Sequence, residues 1–171
     1  MRNIIILISL IICVSCQNAK AQRTPISNKI NLEELRFKGN NSNVFKIDDS
    51  PAQMQSALGS PSSEEDYYYE MQQIMAKLYK YDPNKFYFVN QKFEAWEIFN
   101  DNVIIGRNGN YFKIGDTVDK VYDAFPEFSN KPVNNGYIDI PLRSVDYDME
   151  CTRLIITFEN NQIVKIMRHD C

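Results

Sequence analysis

Residues 39–50 read Gly-Asn-Asn-Ser-Asn-Val-Phe-Lys-Ile-Asp-Asp-Ser, and residues 106–117 read Gly-Arg-Asn-Gly-Asn-Tyr-Phe-Lys-Ile-Gly-Asp-Thr. The two stretches align without a gap at an offset of 67 residues, from Gly39 to Gly106, and share Gly, two Asn, Phe, Lys, Ile and Asp. Similarity at a fixed offset indicates that one structural unit occurs twice. We therefore interpret the chain as two tandem copies, residues 36–105 and residues 106–171.

Each copy has the pattern of a short strand followed by a capped helix. Ser50 and Thr117 are hydroxyl residues of the kind that cap helix N-termini, and Pro51 fits the first helical position. We expect the two helices to end at Gly59 and at Pro126. In copy two, apolar residues recur at the spacing of one helix face packed on a sheet. They are Val118, Val121, Tyr122 and Phe125.

Antiparallel strands are expected after each helix. The predicted strands cover residues 86–89, 93–99 and 103–107 in copy one, and residues 137–140, 154–158 and 163–167 in copy two. Asn108-Gly109 is a strong hairpin signal, because both positions tolerate positive φ. We place this hairpin between the last strand of copy one and the first strand of copy two. The turn at 99–103 is matched to the turn at 158–163.

Copy one contains an insertion that the sequence pattern predicts to be helical. Ser62-Ser-Glu-Glu65 has the spacing of a capping box, and apolar residues at helical spacing follow it. These residues are Tyr67, Met71, Ile74, Met75 and Leu78. The predicted fold class is α+β: two tandem repeats, each a helix packed on antiparallel strands, with an extra helix over residues 64–81 inserted in the first repeat.

The chain opens with an export signal. Arg2 precedes an uninterrupted apolar run at residues 4–12, which is shorter than the roughly 20 residues that a transmembrane helix needs. Cys-Val-Ser-Cys16 resembles the bacterial lipoprotein box, so we expect residues 1–15 to be removed and Cys16 to be lipidated. Cleavage by ordinary signal peptidase before Gln22 is the alternative.

Residues 16–35 have few apolar groups and no periodicity, so we expect a flexible tether between the lipid and a single domain over residues 36–171. The lipid would bind the protein to the membrane of the bacterial cell envelope, and Gln17 favours the outer membrane. Cleavage before Gln22 would instead give a soluble periplasmic or secreted protein.

Composition excludes several functions. The chain has 171 residues and a formal net charge of −3, and its pI is about 5.2. This acidic balance argues against binding to the phosphates of nucleic acid. One His and four Cys leave few residues for His-based catalysis or for zinc. No cofactor is expected.

Cys151 and Cys171 flank a predicted hairpin. A register that buries its apolar residues gives the pairs Leu154–Arg168, Ile156–Ile166 and Phe158–Val164. The same register places the two thiols opposite each other, at a Cα separation of about 4.5–5.5 Å that suits a disulfide. An exported chain meets an oxidising compartment, so the bond should form. A disulfide leaves no thiolate to act with His169, so we expect no catalysis here.

Asp146, Asp148 and Glu150 alternate, so an extended segment would point all three carboxylates the same way. A calcium site is one interpretation, because hard cations take several oxygen ligands. A solvated strand edge is the other. Asp119 and Asp123 stand at i and i+4, either as an acid–base pair or as solvent-facing complements of the helix N-terminus.

The chain contains 10 Tyr, several of them in the inserted segment. Tyr67 belongs to the apolar stripe of the predicted helix and is expected to be buried, whereas Tyr69 lies opposite that stripe. Exposed tyrosines are typical of protein-recognition surfaces, so Tyr68, Tyr69 and Tyr79 are candidate protein-binding residues. The alternative is that these rings only lean on the surface.

Two tandem helix-plus-strand units behind a lipoprotein signal resemble the SmpA/OmlA and beta-lactamase-inhibitor-protein-like families. The resemblance covers residues 39–171 and rests on the helix cap Ile-Gly-Asp-Thr at residues 114–117. Asp48 stands where the family pattern has Gly, and residues 64–81 are an insertion. The resemblance implies a non-enzymatic module that binds another envelope or secreted protein. An inhibitor or immunity-type protein that blocks an enzyme is an alternative within this class.

A carboxylate-dependent envelope hydrolase is the candidate from another class. No nucleophile–base pair, phosphate loop or metal triad in the sequence supports it. We therefore expect a protein that is not an enzyme.

Overall fold

In a computed structural model, which describes residues 29–69, 73–130, 133, 135–144 and 151–170, the chain folds into two β-sheets and two α-helices. The predicted α+β class is confirmed. Neither of the helices in the described ranges is long and apolar enough to cross a membrane.

The strands are short and follow one another closely. They are β1 (Ile30–Asn31), β2 (Arg36–Lys38), β3 (Val44–Phe45), β4 (Ser63–Tyr69), β5 (Ile74–Tyr81), β6 (Asn84–Val89), β7 (Lys92–Ile98), β8 (Ile104–Arg107), β9 (Asn110–Phe112), β10 (Tyr137–Arg143), β11 (Arg153–Glu159) and β12 (Gln162–His169). The helices are α1 (Pro51–Leu58) and α2 (Val118–Ala124), with 3₁₀ turns at Leu32–Glu34 and Pro126–Phe128.

The larger sheet has eight strands in the order β1-β10-β11-β12-β7-β6-β5-β4, and the smaller sheet has the order β3-β2-β8-β9. β1 runs parallel to β10, and the other neighbours are antiparallel. One buried cluster joins the larger sheet (Trp96, Ile166), the smaller sheet (Phe37) and both helices (Met54, Val121). The hydrophobic core therefore lies against one face of the larger sheet.

Both helices begin and end where the sequence predicts. The Ser50 backbone N–H donates to Gln53 Oε1 over 2.9 Å, as in a capping box. Gly59, after α1, has φ +86°, a conformation that favours glycine. Val121 and Phe125 are buried, so the predicted apolar face of α2 is the face that packs on the core.

The predicted helix over residues 64–81 is wrong, because this segment forms the antiparallel strands β4 and β5. The spacing of its apolar residues fits both the period of a helix and that of a strand. The buried residues of β5 follow the two-residue period of a strand. Ala76 and Leu78 are buried two positions apart, whereas Met75, part of the supposed helical stripe, is 60% exposed. Pairing of β5 with β6 supplies backbone hydrogen bonds that a helix would have made internally.

The domain begins before residue 36, so the predicted tether is too long. Ile30, Leu32 and Leu35 are buried in the core, and Ile30 pairs with Leu142 where β1 adds to β10. The tether was predicted because ordering a polar segment costs conformational entropy. Burial of these three side chains provides hydrophobic stabilisation that offsets this cost. The remaining tether residues, 16–28, lie outside the described residues, as does Cys16.

Two hairpins of the larger sheet have the same geometry. Asn90 and Gln91 turn β6 into β7, Asn160 and Asn161 turn β11 into β12, and all four residues have φ between 49° and 66°. The register shifts between Tyr87 and Phe88 in one hairpin and between Thr157 and Phe158 in the other, at an offset of 70 residues. Our match of the turn at 99–103 with that at 158–163 is therefore wrong, since 99–103 connects strands of different sheets.

The loop before each helix binds the adjacent hairpin in the same way. Asp48 N–H donates to the Phe93 carbonyl and the Phe93 N–H to the Asp49 carbonyl, over 3.1 and 2.9 Å. The corresponding bonds join Gly115 and Asp116 to Ile163, over 2.8 and 2.9 Å. The predicted hairpin at Asn108–Gly109 is confirmed and turns β8 into β9.

The predicted register of the β11–β12 hairpin is confirmed for Leu154–Arg168 and Ile156–Ile166. Phe158 faces Ile163 instead of Val164, because a bulge shifts the register near the turn. Near the open end, the Thr152 hydroxyl donates to Asp170 Oδ1 over 2.8 Å. Cys151 is disulfide-bonded. Its predicted partner Cys171 lies outside the described residues, so the pairing stays a prediction.

We expect a reductant, or a Cys171→Ser substitution, to loosen the open end of the β11–β12 hairpin before the remainder of the fold opens. A loop of 21 residues, from Cys151 to Cys171, gains about 3 kcal/mol from cross-linking, less what the hairpin already restricts. Hydrogen exchange measured with and without reductant should show lost amide protection in β12. The β6–β7 hairpin, which has the same turn and bulge but no Cys, is the internal control. Unchanged protection in β12 would contradict a structural disulfide here.

Candidate functional site

The face of the larger sheet opposite the core contains a groove of about 380 Å³. β4 and β12 supply its two sides, and β6 and β7 lie between them in the sheet. Aromatic, acidic and thioether side chains line it. They include Tyr67, Tyr69, Tyr87, Glu97, Met167 and Asp170.

Three tyrosines form a triangle in the groove. The ring centroids of Tyr67, Tyr69 and Tyr87 are 5.2–5.9 Å apart, and each pair of rings meets edge to face. Such contacts contribute about 0.5–1.5 kcal/mol per pair beyond the area that they bury. The triangle links the edge strand β4 to β6 across the intervening strand β5. Tyr67 nevertheless remains 39% exposed and its neighbour Tyr68 52% exposed.

Glu97 lies at the centre of a group of polar and charged side chains on this sheet face. Its carboxylate accepts a hydrogen bond from the Tyr87 hydroxyl over 2.9 Å and pairs with Lys165 at 3.3 Å and Lys85 at 3.7 Å. Burial acts to raise the pKa of Glu97, but the hydrogen bond and the two lysines outweigh it and lower the pKa. Burial and the same hydrogen bond raise the pKa of the Tyr87 hydroxyl. The Glu97 side chain is therefore ionised at neutral pH and is held in place by these three partners.

The buried side chain of Arg168 on β12 binds to a residue of β7 and so links the two strands. Its side chain is only 2% exposed, and Nη1 donates to the Glu94 carbonyl and, over 3.3 Å, to Glu94 Oε2. Its Nε donates to Asp170 Oδ1 over 3.1 Å. Glu94 is the extra residue of the bulge in β7, and burial raises the pKa of its carboxyl although Arg168 acts against that. The guanidinium group therefore has carboxylate partners on both sides.

The structure places the predicted tyrosines differently. Tyr68 and Tyr69 line the groove. Tyr79 does not, because it is 6% exposed and its ring packs on Phe88 at 5.0 Å in the core. The error follows from the predicted helix, since residues two apart share a face in a strand and not in a helix. For the same reason Tyr67 is exposed instead of buried.

The acidic candidates do not form a described site. Asp146, Asp148 and Glu150 lie outside the described residues. Within the described ranges, no group of three His, Cys, Asp or Glu side chains is arranged to hold a metal ion. Asp119 and Asp123 are exposed on α2, and Asp123 pairs with the neighbouring Lys120 at 3.6 Å. This arrangement is that of a solvated helix face.

Sequence reasoning missed most of the groove. Tyr87, Glu97, Met167 and Asp170 were not candidates, because only the pairing of β7 with β12 brings them together. A signal was present in Glu97, which stands between the apolar residues of the Ala-Trp-Glu-Ile run at 95–98. A charged residue inside such a strand indicates an open sheet face.

A larger cavity of about 610 Å³ lies between α1, the loop after β2 and the β5–β6 turn. Its polar groups hold the loops together. The Tyr81 hydroxyl donates to the Gly59 carbonyl over 2.7 Å. The fully buried Asn84 donates to Asn100 Oδ1 and accepts from the Phe99 N–H, each over 2.8 Å. We therefore assign the candidate site to the smaller, tyrosine-lined groove.

Comparison of the chain with protein-family models, with curated proteins and with solved structures found no match. The resemblance to the SmpA/OmlA and beta-lactamase-inhibitor-protein-like families therefore stays an expectation. The functional argument rests on the groove itself.

We expect Tyr87→Phe to lower the free energy of unfolding by about 1 kcal/mol at neutral pH, because it keeps the ring and removes the hydrogen bond to Glu97. The lowered pKa of Glu97 stabilises the native state above the ordinary glutamate pKa of 4.5, and this stabilisation is lost as the pH falls through the native pKa. The Tyr87→Phe variant has less of this pH-dependent stabilisation to lose. The difference in free energy of unfolding between the variant and the original protein should therefore shrink as the pH falls.

Urea unfolding of both proteins at neutral and acidic pH measures the two deficits. Tyr137→Phe is the control, because Tyr137 is exposed on β10 and lies outside the groove lining. An equal deficit for Tyr87→Phe at both pH values would contradict the assigned role of the hydrogen bond.

Proposed function

We propose that the chain is an exported lipoprotein, anchored in the bacterial cell envelope by a lipid on Cys16, that binds another protein through the tyrosine-lined groove. The observation that carries the proposal is the triangle of Tyr67, Tyr69 and Tyr87 on the face of the larger sheet opposite the core. Exposed aromatic rings beside a concave surface are typical of protein-binding sites.

Rigidity of the groove supports the same function. Tyrosine offers a large contact area with few rotatable bonds, and here ring contacts already fix three of the side chains. Little conformational entropy is then lost on binding. Tyr68 and Met75, which face each other across β4 and β5, are 52% and 60% exposed. They extend the apolar surface around the edge of the sheet.

Electrostatics favour binding over catalysis. The carboxylate of Glu97 is held ionised by a hydrogen bond and two lysines, and a general acid or base at neutral pH needs a pKa near 7. Arg168 binds the carboxylates of Glu94 and Asp170. Cys151 is disulfide-bonded and offers no thiolate to the nearby His169. These groups serve structure and recognition, so the proposed module is not an enzyme.

We further propose that the fold is a tandem repeat. Support comes from the two bulged hairpins at an offset of 70 residues and from the shared bonds between helix-cap loops and hairpins. Glu97 and Met167 occupy equivalent positions and pair with each other, which places an approximate two-fold axis between β7 and β12. On the groove face the copies differ, since Tyr87 and Ala95 correspond to Thr157 and Lys165. The tyrosine triangle is then a feature of copy one alone, and copy two supplies the other side of the groove.

Site-specific photo-crosslinking in cells tests the function. A photoreactive phenylalanine analogue at Tyr68, in the groove, should give a cross-link to one defined envelope or secreted protein. The same analogue at Tyr137, which is 39% exposed on β10, is the matched control and should not. A Tyr67→Ala substitution should remove the Tyr68 cross-link. No cross-link from Tyr68, or identical cross-links from both positions, would contradict the proposal.

The intact mass of the same protein, extracted from membranes, tests the anchor. A lipidated chain that starts at Cys16 is expected. A soluble chain that starts at Gln22 would contradict the anchor and leave the binding proposal standing.

A further inference from the structure

Carboxylate side chains line the groove beside its aromatic rings. Glu97 and Asp170 line it with carboxylates, and Arg168 is the single Lys or Arg among the described residues that line it, beside His169. The guanidinium group of Arg168 is already bound to Glu94 and Asp170. Lys85 and Lys165, which pair with Glu97, lie outside the lining.

Two buried polar atoms on residues that line the groove lack a partner in the described part of the chain, the acceptor Asp170 Oδ2 and the donor Trp96 Nε1. Asp170 Oδ1 accepts hydrogen bonds from Thr152 and Arg168. Asp170 Oδ2 is buried and accepts none from the described part of the chain. A carboxylate with an oxygen that lacks a donor favours a ligand that brings an N–H group to it.

The tyrosine triangle adds attraction for a cation. Aromatic faces carry the negative part of the ring quadrupole and attract a cation placed over them. Tyr67 and Tyr69 supply two such rings next to the carboxylates. Burial and then the charge of Asp170 raise the pKa of the Tyr69 hydroxyl, and Glu97 adds to this.

We infer that the groove binds the guanidinium group of an arginine side chain that the partner protein presents. A guanidinium group is planar, so it stacks on a tyrosine ring and at the same time donates to a carboxylate oxygen such as Asp170 Oδ2. A volume of about 380 Å³ is near the lower end for ligand sites, which suits one side chain. The inference rests on the proposed function, because a partner protein supplies the arginine.

Other occupants fit less well. An anion would meet the carboxylates of Glu97 and Asp170, and Arg168, the single Lys or Arg among the described lining residues, is already bound to Glu94 and Asp170. An apolar side chain would leave Asp170 Oδ2 without a donor. A lysine ammonium group is a strongly hydrated point charge that does not stack as a plane.

A titration of the full chain in detergent, labelled with ¹³C at the methionine methyl groups, tests the inference. The probe is N-acetyl-arginine amide, and its neutral isostere N-acetyl-citrulline amide is the ligand control. The Met167 methyl lines the groove, whereas Met54 lies in the core and Met75 on the exposed edge hairpin. Arginine amide should shift the Met167 signal with a dissociation constant in the millimolar range and leave Met54 and Met75 unchanged.

The citrulline probe should bind at least about tenfold more weakly, because it keeps the shape and loses the charge. Tyr67→Leu should weaken arginine binding several-fold and Tyr67→Phe should restore it, since only the ring face is needed. Tyr137→Leu, at an equally exposed tyrosine outside the groove lining, should change nothing. Asp170→Asn should weaken binding without moving the core Met54 signal.

Equal binding of citrulline and arginine, or equal shifts at Met167 and Met75, would overturn the inference. Tighter binding of N-acetyl-lysine amide would overturn the assignment to a guanidinium group. A cross-linked partner at Tyr68 without arginine binding would refute this inference alone. Arginine binding without a cross-linked partner would refute the proposed function alone.

Discussion

The pairing of β7 with β12 at the centre of the larger sheet is the contact on which the rest of the structure depends. It joins strands β4 to β7 with strands β10 to β12 through the pairs Ile98–Ile166 and Glu97–Met167. Arg168 reinforces it from the buried side, because its guanidinium group binds both the carbonyl and the carboxylate of Glu94 on β7. Removal of that group would leave partly buried carboxylates without their cation, which is costly in a low-dielectric interior.

The groove exists because of this junction. Tyr87 and Glu97 come from β6 and β7, whereas Met167 and Asp170 come from the end of β12. β4 completes the site when Tyr67 and Tyr69 pack on Tyr87. One side of the groove thus depends on a hairpin contact, and the other depends on strands that are about 70 residues apart in sequence. Binding and sheet assembly are coupled through the same residues.

Local features of the fold could be predicted from the sequence. The capping box of Ser50 acts within one turn, α2 begins directly after Thr117 although that side chain makes no capping bond, and the Asn108–Gly109 turn needs only its own two residues. The β11–β12 register followed from the alternation of buried residues such as Ile156 and Ile166. The bulge that shifts Phe158 onto Ile163 has no clear signal in one hairpin alone.

Features that depend on long-range pairing could not be predicted. The segment from Tyr67 to Leu78 fits both a helical and a strand period, and only its pairing with β6 decides between them. The strand that contains Ile30 is too short to be predicted from sequence, because it forms only by pairing with β10. The groove residues Glu97 and Asp170 acquire their role only when β7 and β12 meet. The one local indication of the groove in the sequence was Glu97, a charged residue in an otherwise apolar strand.

A pair of introduced cysteines tests the central junction most directly. Glu97→Cys combined with Met167→Cys places two thiols on Cα partners across β7 and β12, within reach of a disulfide. Glu97→Cys combined with Lys165→Cys, two positions along β12, is the control. The account predicts that mild oxidation forms the 97–167 bond quickly, that the 97–165 pair stays largely reduced, and that the bonded protein keeps its cooperative unfolding transition. Preferential formation of the 97–165 bond, or no bond in either pair, would contradict the junction and the groove built on it.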